Sequence, residues 1–311
     1  MRNVLVTGGA GYIGSKLVTK LVNLKFNVTV IDALRFSGSS LNHLFCYKNF
    51  KFIKGDVRNY KLIKKLIKKN EFIIPLAALV GAPLCEKNKK EAISINLNSI
   101  KFLMKNVVKK NKVIYLTTNS GYGVGEKNKY CDERSKLNPI SLYGKTKVDA
   151  ESIVMKSKNS IAYRLATVFG YSYRMRSDLL VNNFVYTAVR KKKLTIFEPH
   201  FRRNYIHIDD VVNAIVFSIS NFNKLKSNVY NLGLSSANLT KYMLANKIKQ
   251  KLKYLKIIIV KNRKDPDQRD YYVSNKKIEK KGFKAKIKIE DGINELIKIF
   301  TNSNDKIINN Y

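Results

Sequence analysis

The chain has 311 residues, of which 45% are hydrophobic and 26% are charged. This composition is typical of one large folded domain or two closely joined domains, and it excludes a disordered chain. The three cysteines are far apart and show no metal-binding spacing, so they predict free thiols in a reducing compartment, a cytoplasmic protein and no metal site. Neither a leader before the first strand nor an apolar run of ~20 residues is evident, so no membrane partner is expected.

The basic residues give the chain a formal net charge of +38. Lysines occur in every segment, as in a general compositional bias, and no basic groove with interleaved aromatic residues is evident. A solvated basic surface is therefore the favoured interpretation, and a nucleic-acid partner is not expected. The positive field would still attract an anionic nucleotide substrate.

The first segment of the chain contains a glycine-rich turn between an apolar run and an amphipathic stretch. β-branched residues lead from Val4 into Gly8, and the pattern continues through Gly11 and Gly14. Gly8 permits the turn out of a strand, Gly11 lets the backbone approach phosphates, and Gly14 lets a helix pack closely on the sheet. A second predicted strand ends in Asp32, where a carboxylate accepts hydrogen bonds from an adenosine ribose and repels a 2′-phosphate. The pattern predicts a strand, turn and helix that bind the pyrophosphate of NAD.

Strands alternate with helices through the first half of the chain, which predicts an α/β fold with a doubly wound parallel sheet. The later predicted strands of this half span residues 27–31, 50–54, 72–78, 112–117 and 161–166. The later predicted helices of this half span residues 60–69, 89–110 and 143–156. Asp56 follows the third strand, where it is placed to touch the adenine end of the dinucleotide. Small residues close the fourth strand and leave room for the cofactor.

A tyrosine and a lysine four residues apart follow the fifth predicted strand. Tyr143 and Lys147 share one helix face, so the ammonium is expected to lower the pKa of the phenol and to hold the cofactor ribose. The tyrosinate then takes a proton from a substrate hydroxyl, and Thr118 hydrogen-bonds the same oxygen. The spacing recurs elsewhere, so position selects this pair, and the structural alternative is a turn residue at Thr118 and a half-buried helix residue at Tyr143. The residues predicted to bind NAD are then Gly8, Gly11, Tyr12, Ile13, Gly14, Asp32, Asp56, Val57, Leu76, Ala77, Ala78, Tyr143 and Lys147.

Longer strings of sequence carry a family resemblance. Besides the glycine-rich turn and Asp56-Val57, they span residues 118–123, 143–147, 164–170 and 203–210. Nearly end to end, the chain resembles the extended short-chain dehydrogenase/reductase family, in its nucleotide-sugar epimerase and dehydratase branch. Further strings resemble the group that oxidises C4 of GDP-D-glycero-D-manno-heptose for bacterial surface polysaccharide; they span residues 76–85, 118–126, 164–170, 233–240 and 265–274.

The resemblance implies an NAD-dependent enzyme with the catalytic set Thr118, Tyr143 and Lys147, which passes a hydride between the sugar C4 and the nicotinamide. Dehydratases of this family carry Asp and Glu directly after the catalytic threonine, whereas this chain has Asn119 and Ser120. Neither residue acts as an acid or base near neutral pH, so elimination of water is not expected. Oxidation at C4 remains, with the ketone released or reduced again from the other face to give an epimer.

The second half of the chain supplies the expected contacts to a nucleotide-diphosphate sugar. By resemblance, Arg203 matches a diphosphate-binding arginine, and Arg269 is a second expected clamp, since a guanidinium fork bonds two oxygens at once. Arg174, Arg176 and a helix over residues 179–189 form the expected nucleotide wall. The full set of expected substrate contacts is Thr118, Asn119, Ser120, Arg174, Arg176, Asn183, Arg203 and Arg269.

Nearby polar residues are interpreted as structural. His207 stands alone in an apolar strand and is expected to be a satisfied core residue. Asp209 and Asp210 are expected to cap a helix over residues 211–220.

The expected architecture is an NAD-binding Rossmann domain over residues 1–165 and a smaller α/β substrate-binding domain over residues 166–311, with some elements interleaved. The site lies in the cleft between them. Apolar stripes on the helices over residues 89–110 and 143–156 are expected to pair in a homodimer. Two alternatives remain open: a nucleotide-sugar 4-epimerase and, from another class, a non-catalytic NAD-binding protein whose basic surface binds RNA.

Overall fold

The structure, a computed structural model, describes residues 2–36, 38–126, 129–260 and 269–302. Its strands are β1 (Asn3–Thr7), β2 (Asn27–Asp32), β3 (Phe50–Lys54), β4 (Phe72–Pro75), β5 (Lys112–Thr118), β6 (Tyr130–Cys131), β7 (Ser160–Leu165), β8 (Thr167–Phe169), β9 (Lys193–Phe197), β10 (Arg202–His207), β11 (Asn228–Leu232), β12 (Asn238–Thr240), β13 (Lys256–Val260) and β14 (Tyr272–Val273). Its α-helices are α1 (Tyr12–Asn23), α2 (Tyr60–Lys69), α3 (Ala82–Lys87), α4 (Lys89–Ile93), α5 (Ser99–Asn106), α6 (Leu142–Val154), α7 (Leu180–Lys191), α8 (Ile208–Ser220), α9 (Phe222–Leu225), α10 (Lys241–Lys251), α11 (Lys276–Lys280) and α12 (Ile289–Asn302). Residues 265–268, which begin one of the strings quoted for the family resemblance, lie outside the described residues.

The main sheet is built from the apolar strands of the repeated βα pattern. Within the described residues it has seven strands in the order β3-β2-β1-β4-β5-β7-β11, and every pairing is parallel. The order reverses between β1 and β4, and in sheets of this kind ligands bind at the carboxyl ends of the strands beside that point. The predicted doubly wound parallel fold is confirmed.

Both faces of the main sheet are covered by helices. Val4 and Val6 of β1 belong to one core together with Leu17 of α1, whereas Leu5 belongs to the other core together with Ile63 of α2. Side chains alternate between the two faces of a strand, so a shift of one residue would exchange these two cores. The hydrophobic pattern of β1 therefore fixes the register on which the glycine-rich turn is built.

The elements after residue 165 are divided between the main sheet and smaller sheets. β11 is the edge strand of the main sheet, and α8 packs against α1. β8, β10 and β12 form a three-stranded sheet, β9 pairs with β13, and β6 pairs with β14. Residues 166–311 thus contribute elements to the layer formed by residues 1–165, and a domain boundary at residue 165 stays a prediction.

Two elements near the cleft differ from their expected bounds. The strand expected over residues 72–78 ends at Pro75, because the backbone after it is held by Asn96. The Asn96 amide accepts a hydrogen bond from the Leu79 N–H at 2.8 Å and donates one to the Leu79 carbonyl at 2.9 Å. The helix expected over residues 89–110 is divided into α4, a π-helical segment that contains Asn96, and α5.

The start of α8 also differs from expectation. His207 is the N-cap, and its Nδ1 accepts the N–H of Asp209 at 3.3 Å. Asp210 instead accepts the backbone N–H groups of Lys286 and Ile287, so neither aspartate caps the helix. His207 is buried and bonded at both ring nitrogens, as expected of a satisfied core residue.

The helices expected to form a homodimer, α5 and α6, pack against each other within the chain. Met104 on α5 and Ile153 on α6 are only partly buried. Pairing of these helices across a two-fold axis stays a prediction. None of the helices in the described ranges is long and apolar enough to cross a membrane.

Candidate active site

The predicted cofactor contacts meet in a cleft at the carboxyl ends of the strands of the main sheet. The cleft has a volume of about 350 Å³ and is lined by the glycine-rich turn, the ends of β2, β4 and β5, and α6. Every residue predicted to bind NAD lines it, from Gly8 directly after β1 to Lys147 on α6. The cleft lies where the strand order reverses, which is where a dinucleotide binds in such sheets.

The glycine-rich turn is packed too closely against the backbone for side chains at Gly8 and Gly14. Gly8 has a φ of +71°, and a Cβ there would lie 2.5 Å from the backbone nitrogen of Ala77. A Cβ on Gly14 would lie 2.4 Å from the carbonyl oxygen of Gly8. Gly11 is the N-cap of α1, so the first N–H groups of that helix and its positive dipole end face the cleft. These features fit a dinucleotide pyrophosphate.

Asp32 lies beside this turn at the end of β2. Its Oδ2 accepts the N–H of Ala10 at 2.9 Å, and its Oδ1 accepts the N–H of Leu34 at 2.8 Å. Burial raises the pKa of Asp32, and these two hydrogen bonds lower it. Asp56 also lines the cleft and is paired with Arg58 at 2.6 Å. The fixed carboxylate of Asp32 suits a ribose hydroxyl and disfavours a 2′-phosphate.

Arg174 lies near Asp32, one of the residues predicted to bind NAD, and its place in the substrate wall stays a prediction. Its guanidinium carbon is 5.0 Å from the ring centroid of Phe36, and its charge interacts with that of Asp32. Although Arg174 is only 4% exposed, its Nε and Nη2 have no hydrogen-bond partner among the described residues. The loop is tied to α1, because the Ser172 hydroxyl donates to the Tyr12 carbonyl at 2.6 Å. This tie holds the loop of Arg174 near Asp32.

The three expected catalytic residues meet at the end of the cleft nearest β5. Thr118 is the last residue of β5, and its side chain lies close enough to the phenol of Tyr143 to lower its pKa. The Ser141 hydroxyl caps α6 by accepting the N–H of Gly144 at 3.1 Å. This cap fixes the first turn of α6, and Tyr143 and Lys147 project from the same helix face into the cleft.

The charges around Tyr143 differ from the expectation. Burial raises the pKa of Tyr143 to about 12, and the cations that lower it are Arg269 and Arg176. Burial lowers the pKa of Lys147 to about 7, and its Nζ lies 4.1 Å from the ring centroid of Tyr115. The cations that favour the phenolate are therefore the two arginines, whereas burial disfavours the ammonium form of Lys147.

Some of the expected substrate residues lie in the lining near Tyr143. Ser120 lines the cleft and accepts a hydrogen bond from Arg269, which also lines it. Arg176 lines the cleft as a buried residue paired with Asp178. Asn119 is buried outside this lining, and neither atom of its amide is bonded to another described residue. Asn119 and Ser120 are neighbours in the short 3₁₀ segment that follows β5, and their side chains point in different directions.

Two further expected substrate residues do not line the cleft as the described residues form it. Asn183 is only half-buried, whereas its neighbour Asn182 points inward and accepts the N–H of Gly170 at 3.1 Å. Adjacent helix residues point ~100° apart, so Asn182 and Asn183 cannot share that face. Arg203 is buried behind Tyr271, whose ring centroid lies 5.8 Å from its guanidinium carbon. Tyr271 itself lines the cleft.

A buried network behind α6 was not predicted from the sequence. Arg164 of β7 and Glu151 of α6 form an ion pair at 2.7 Å, and both are buried. Arg164 also donates to the Tyr122 hydroxyl at 3.1 Å, and this hydroxyl donates to Asn231 of β11 at 2.7 Å. The network anchors the catalytic helix to the sheet. The available signal was a charged residue inside an apolar strand, since such residues are rarely buried unless paired.

Comparison with known proteins assigns these features to a family. Residues 4–233 match the NAD dependent epimerase/dehydratase family. This range includes the glycine-rich turn, Thr118 and the helix that carries Tyr143 and Lys147.

Curated relatives include dehydratases and epimerases. A dTDP-D-glucose 4,6-dehydratase of Dictyostelium discoideum is 30% identical over 75% of this chain and 58% of its own length. A trifunctional UDP-glucose 4,6-dehydratase/UDP-4-keto-6-deoxy-D-glucose 3,5-epimerase/UDP-4-keto-L-rhamnose-reductase of Arabidopsis thaliana is 27% identical over 96% of this chain and 47% of its own length. This chain therefore spans about half the length of these two relatives. A putative UDP-glucose 4-epimerase of Methanocaldococcus jannaschii is 24% identical, over 97% of this chain and 99% of its own length.

Solved structures share the fold over nearly the whole chain. A UDP-glucuronic acid 4-epimerase from Bacillus cereus, in complex with UDP-glucuronic acid and NAD, has a TM-score of 0.84 at 23% identity and covers 96% of this chain and 98% of its own. A dTDP-glucose 4,6-dehydratase from Bacillus anthracis, in complex with NAD, has a TM-score of 0.84 at 24% identity and covers 98% of both chains. The match over residues 4–233 shows that the chain belongs to the NAD dependent epimerase/dehydratase family, with NAD as its cofactor.

Proposed function

We propose that the protein oxidises C4 of a nucleotide-diphosphate sugar and that this sugar is a GDP-manno-heptose destined for surface polysaccharide. One observation carries the reaction type. Among the described residues that line the cleft, the carboxylates are Asp32, the last residue of β2, and Asp56, which follows β3. In the strand order these two strands are separated from β5, and from Tyr143 beside it, by β1 and β4. The described part of the site thus offers a base for a hydroxyl but no carboxylate pair for elimination.

The reacting end of the cleft supports proton transfer at one oxygen. In the proposed reaction, Tyr143 takes the proton from the C4 hydroxyl and Thr118 hydrogen-bonds the same oxygen, a role supported by the position of both residues in the cleft lining. Lys147, one turn along α6, holds the ribose next to the nicotinamide in this proposal. NAD, when bound, accepts the hydride from C4.

Elimination of water needs a group that removes the C5 proton and another that protonates the C6 hydroxyl. Ser120 lines the cleft but is no acid or base near neutral pH, and Asn119 is an amide outside the lining. Cys85 lies close enough to Tyr143 for their charges to interact, but burial raises the pKa of its thiol to about 11. These groups support oxidation without dehydration.

A 4-epimerase is the second candidate, since an epimerase uses the same oxidation and then returns the hydride to the other face of C4. The similarity to a putative UDP-glucose 4-epimerase over nearly the full length of both chains favours it. The two reactions differ only in the fate of the ketone, so product analysis separates them.

The decisive experiment incubates the purified protein and NAD with a panel of nucleotide sugars that includes GDP-manno-heptose, GDP-mannose, UDP-glucose and dTDP-glucose. Mass spectrometry then reads the products. We expect a product lighter by two hydrogens, together with NADH. An isomer of unchanged mass would favour the epimerase, and loss of a water would refute both. Tyr143→Phe is the matched control, because it removes the proton acceptor and keeps the ring in place; it should bind NAD but give no product.

A further inference from the structure

Hydrogen bonds link an arginine to Thr118, and the side chain of Thr118 interacts with the phenol of Tyr143. Arg269 donates to the Ser120 hydroxyl oxygen. The Ser120 and Thr118 hydroxyl oxygens are 2.8 Å apart, and the Thr118 side chain lies close enough to the Tyr143 phenol to lower its pKa. Arg269 was expected to clamp a diphosphate, but in the structure it reaches the reacting end of the cleft.

The series of hydrogen bonds that begins at Arg269 has a donor at its first position, because a guanidinium can only donate hydrogen bonds. Either hydroxyl of the Ser120–Thr118 pair could be the donor; because Ser120 already accepts from Arg269, we infer that Ser120 donates its proton to the Thr118 oxygen. That oxygen also accepts the Ser120 N–H at 3.1 Å, so both of its lone pairs are occupied. The Thr118 proton is then left for the Tyr143 oxygen. A donor aimed at this oxygen favours the phenolate over the phenol.

The titratable groups that act on Tyr143 are two arginines that favour its phenolate and one thiol that opposes it. From the substrate side, Arg269 and Arg176 both favour the phenolate, and Arg176 is paired with Asp178. From α3, the Cys85 thiol opposes it. Lys147 lies on the same helix as Tyr143, and burial lowers its own pKa to about 7. Two cations favour the phenolate. Of these two, Arg269 is the one that is linked towards Tyr143 through the hydroxyl groups of Ser120 and Thr118.

We propose that Arg269 is a positioning residue which, through Ser120, orients the Thr118 hydroxyl as a donor to the Tyr143 oxygen. The proposal rests on the function proposed above and adds a reason for serine at position 120. A carboxylate there, as in the dehydratases that the chain resembles, would pair with Arg269 and present no proton to Thr118. In this chain the position that serves elimination in those enzymes would instead tune the base for oxidation.

The test measures the ionisation of Tyr143 directly and needs no sugar substrate. Protein labelled with ¹³C at the tyrosine Cζ is titrated as its NAD complex, and the Tyr143 signal is assigned by its loss in Tyr143→Phe. We expect Arg269→Gln to raise the titration midpoint by on the order of one pH unit. Ser120→Ala, which keeps the arginine but removes the link, should raise it in the same direction. Arg134→Gln, at an exposed arginine paired with Asp132, should leave it unchanged.

The outcomes separate this proposal from the others. A midpoint that moves in Arg269→Gln but not in Ser120→Ala would show a charge acting through space and would overturn the link. A Tyr143 signal with the same titration midpoint in all of these proteins would overturn the proposal. In that case, weaker binding of GDP or UDP by Arg269→Gln would support the original prediction that Arg269 binds the diphosphate. Because the titration contains no sugar, failure of the substrate assignment leaves its result intact. Thermal unfolding of each variant checks that the fold is kept.

Discussion

Replacing Arg174 with methionine is expected to weaken NAD binding and, at the same time, to stabilise the cofactor-free protein. The buried guanidinium has two nitrogens, Nε and Nη2, that are not bonded within the described parts of the chain. A hydrogen bond to a charged group contributes about 1.5–3 kcal/mol. Loss of one such bond to the cofactor would raise the Kd of NAD by ~10- to 100-fold. Methionine keeps much of the side-chain length and removes a buried charge whose desolvation is costly without partners.

Isothermal titration with NAD and thermal unfolding, each on protein stripped of cofactor, would measure both effects. The expected result is a higher Kd together with a higher Tm of the cofactor-free variant. Arg134→Met is the matched control, since this arginine is exposed and paired with Asp132, and it should change neither quantity. An unchanged Kd of NAD with weaker binding of GDP or UDP would refute this reasoning and place Arg174 in the substrate wall.

Asp32→Ser is expected to narrow the preference for NAD over NADP by on the order of tenfold, because it removes a fixed carboxylate beside Arg174; competitive titration of the two cofactors measures this. Glu151→Ala should cost about 3–5 kcal/mol of unfolding free energy in urea, because it leaves the Arg164 charge buried and unpaired, and Glu151→Leu combined with Arg164→Met should recover most of that loss. Lys147→Met tests the low pKa of this lysine. Between pH 7 and 10.5 the unfolded chain keeps the lysine proton and the folded chain releases it. The stability of the wild type relative to this variant should therefore rise with pH across that window, by at most about 1.4 kcal/mol per pH unit, and stay level below it. A flat difference in unfolding free energy from pH 6 to 9.5 would contradict the assigned burial of the amine.

The cofactor half of the site could be predicted from the sequence because local geometry dictates it. Gly8 and Gly14 stand where a Cβ would meet backbone atoms, so only glycine fits at these positions. The spacing of such glycines can be recognised in the sequence. The position of Asp32 could be predicted because a βα unit has a typical length, and the acidic residue is expected at the end of the second strand. Thr118 and Tyr143 were found by position, since the carboxyl end of β5 and the first turn of the next long helix meet at the same edge of the sheet.

The substrate half was harder to predict because its side chains are placed by contacts between distant segments. Arg174 lies near Asp32 in a loop that is tied to α1, more than a hundred residues away in sequence. The choice between Asn182 and Asn183 depends on the rotational phase of α7, which a shift of one residue in the start of the helix would change. Arg203 lies behind Tyr271, an arrangement set by packing between β10 and β14.

Burial disfavours the charged forms of Tyr143 and Lys147. An expected tyrosine base needs its phenolate form, and an expected lysine partner needs its ammonium form, yet the cleft raises the pKa of Tyr143 to about 12 and lowers the pKa of Lys147 to about 7. Desolvation therefore disfavours both charged forms, and a tyrosine and lysine at the right spacing are not sufficient for a base that works near neutral pH. The compensating charges must come from elsewhere in the fold. Arg269 and Arg176 provide these charges, and both residues lie in segments after β7. Tyr143, which the first half of the chain supplies, therefore depends on cations from the second half.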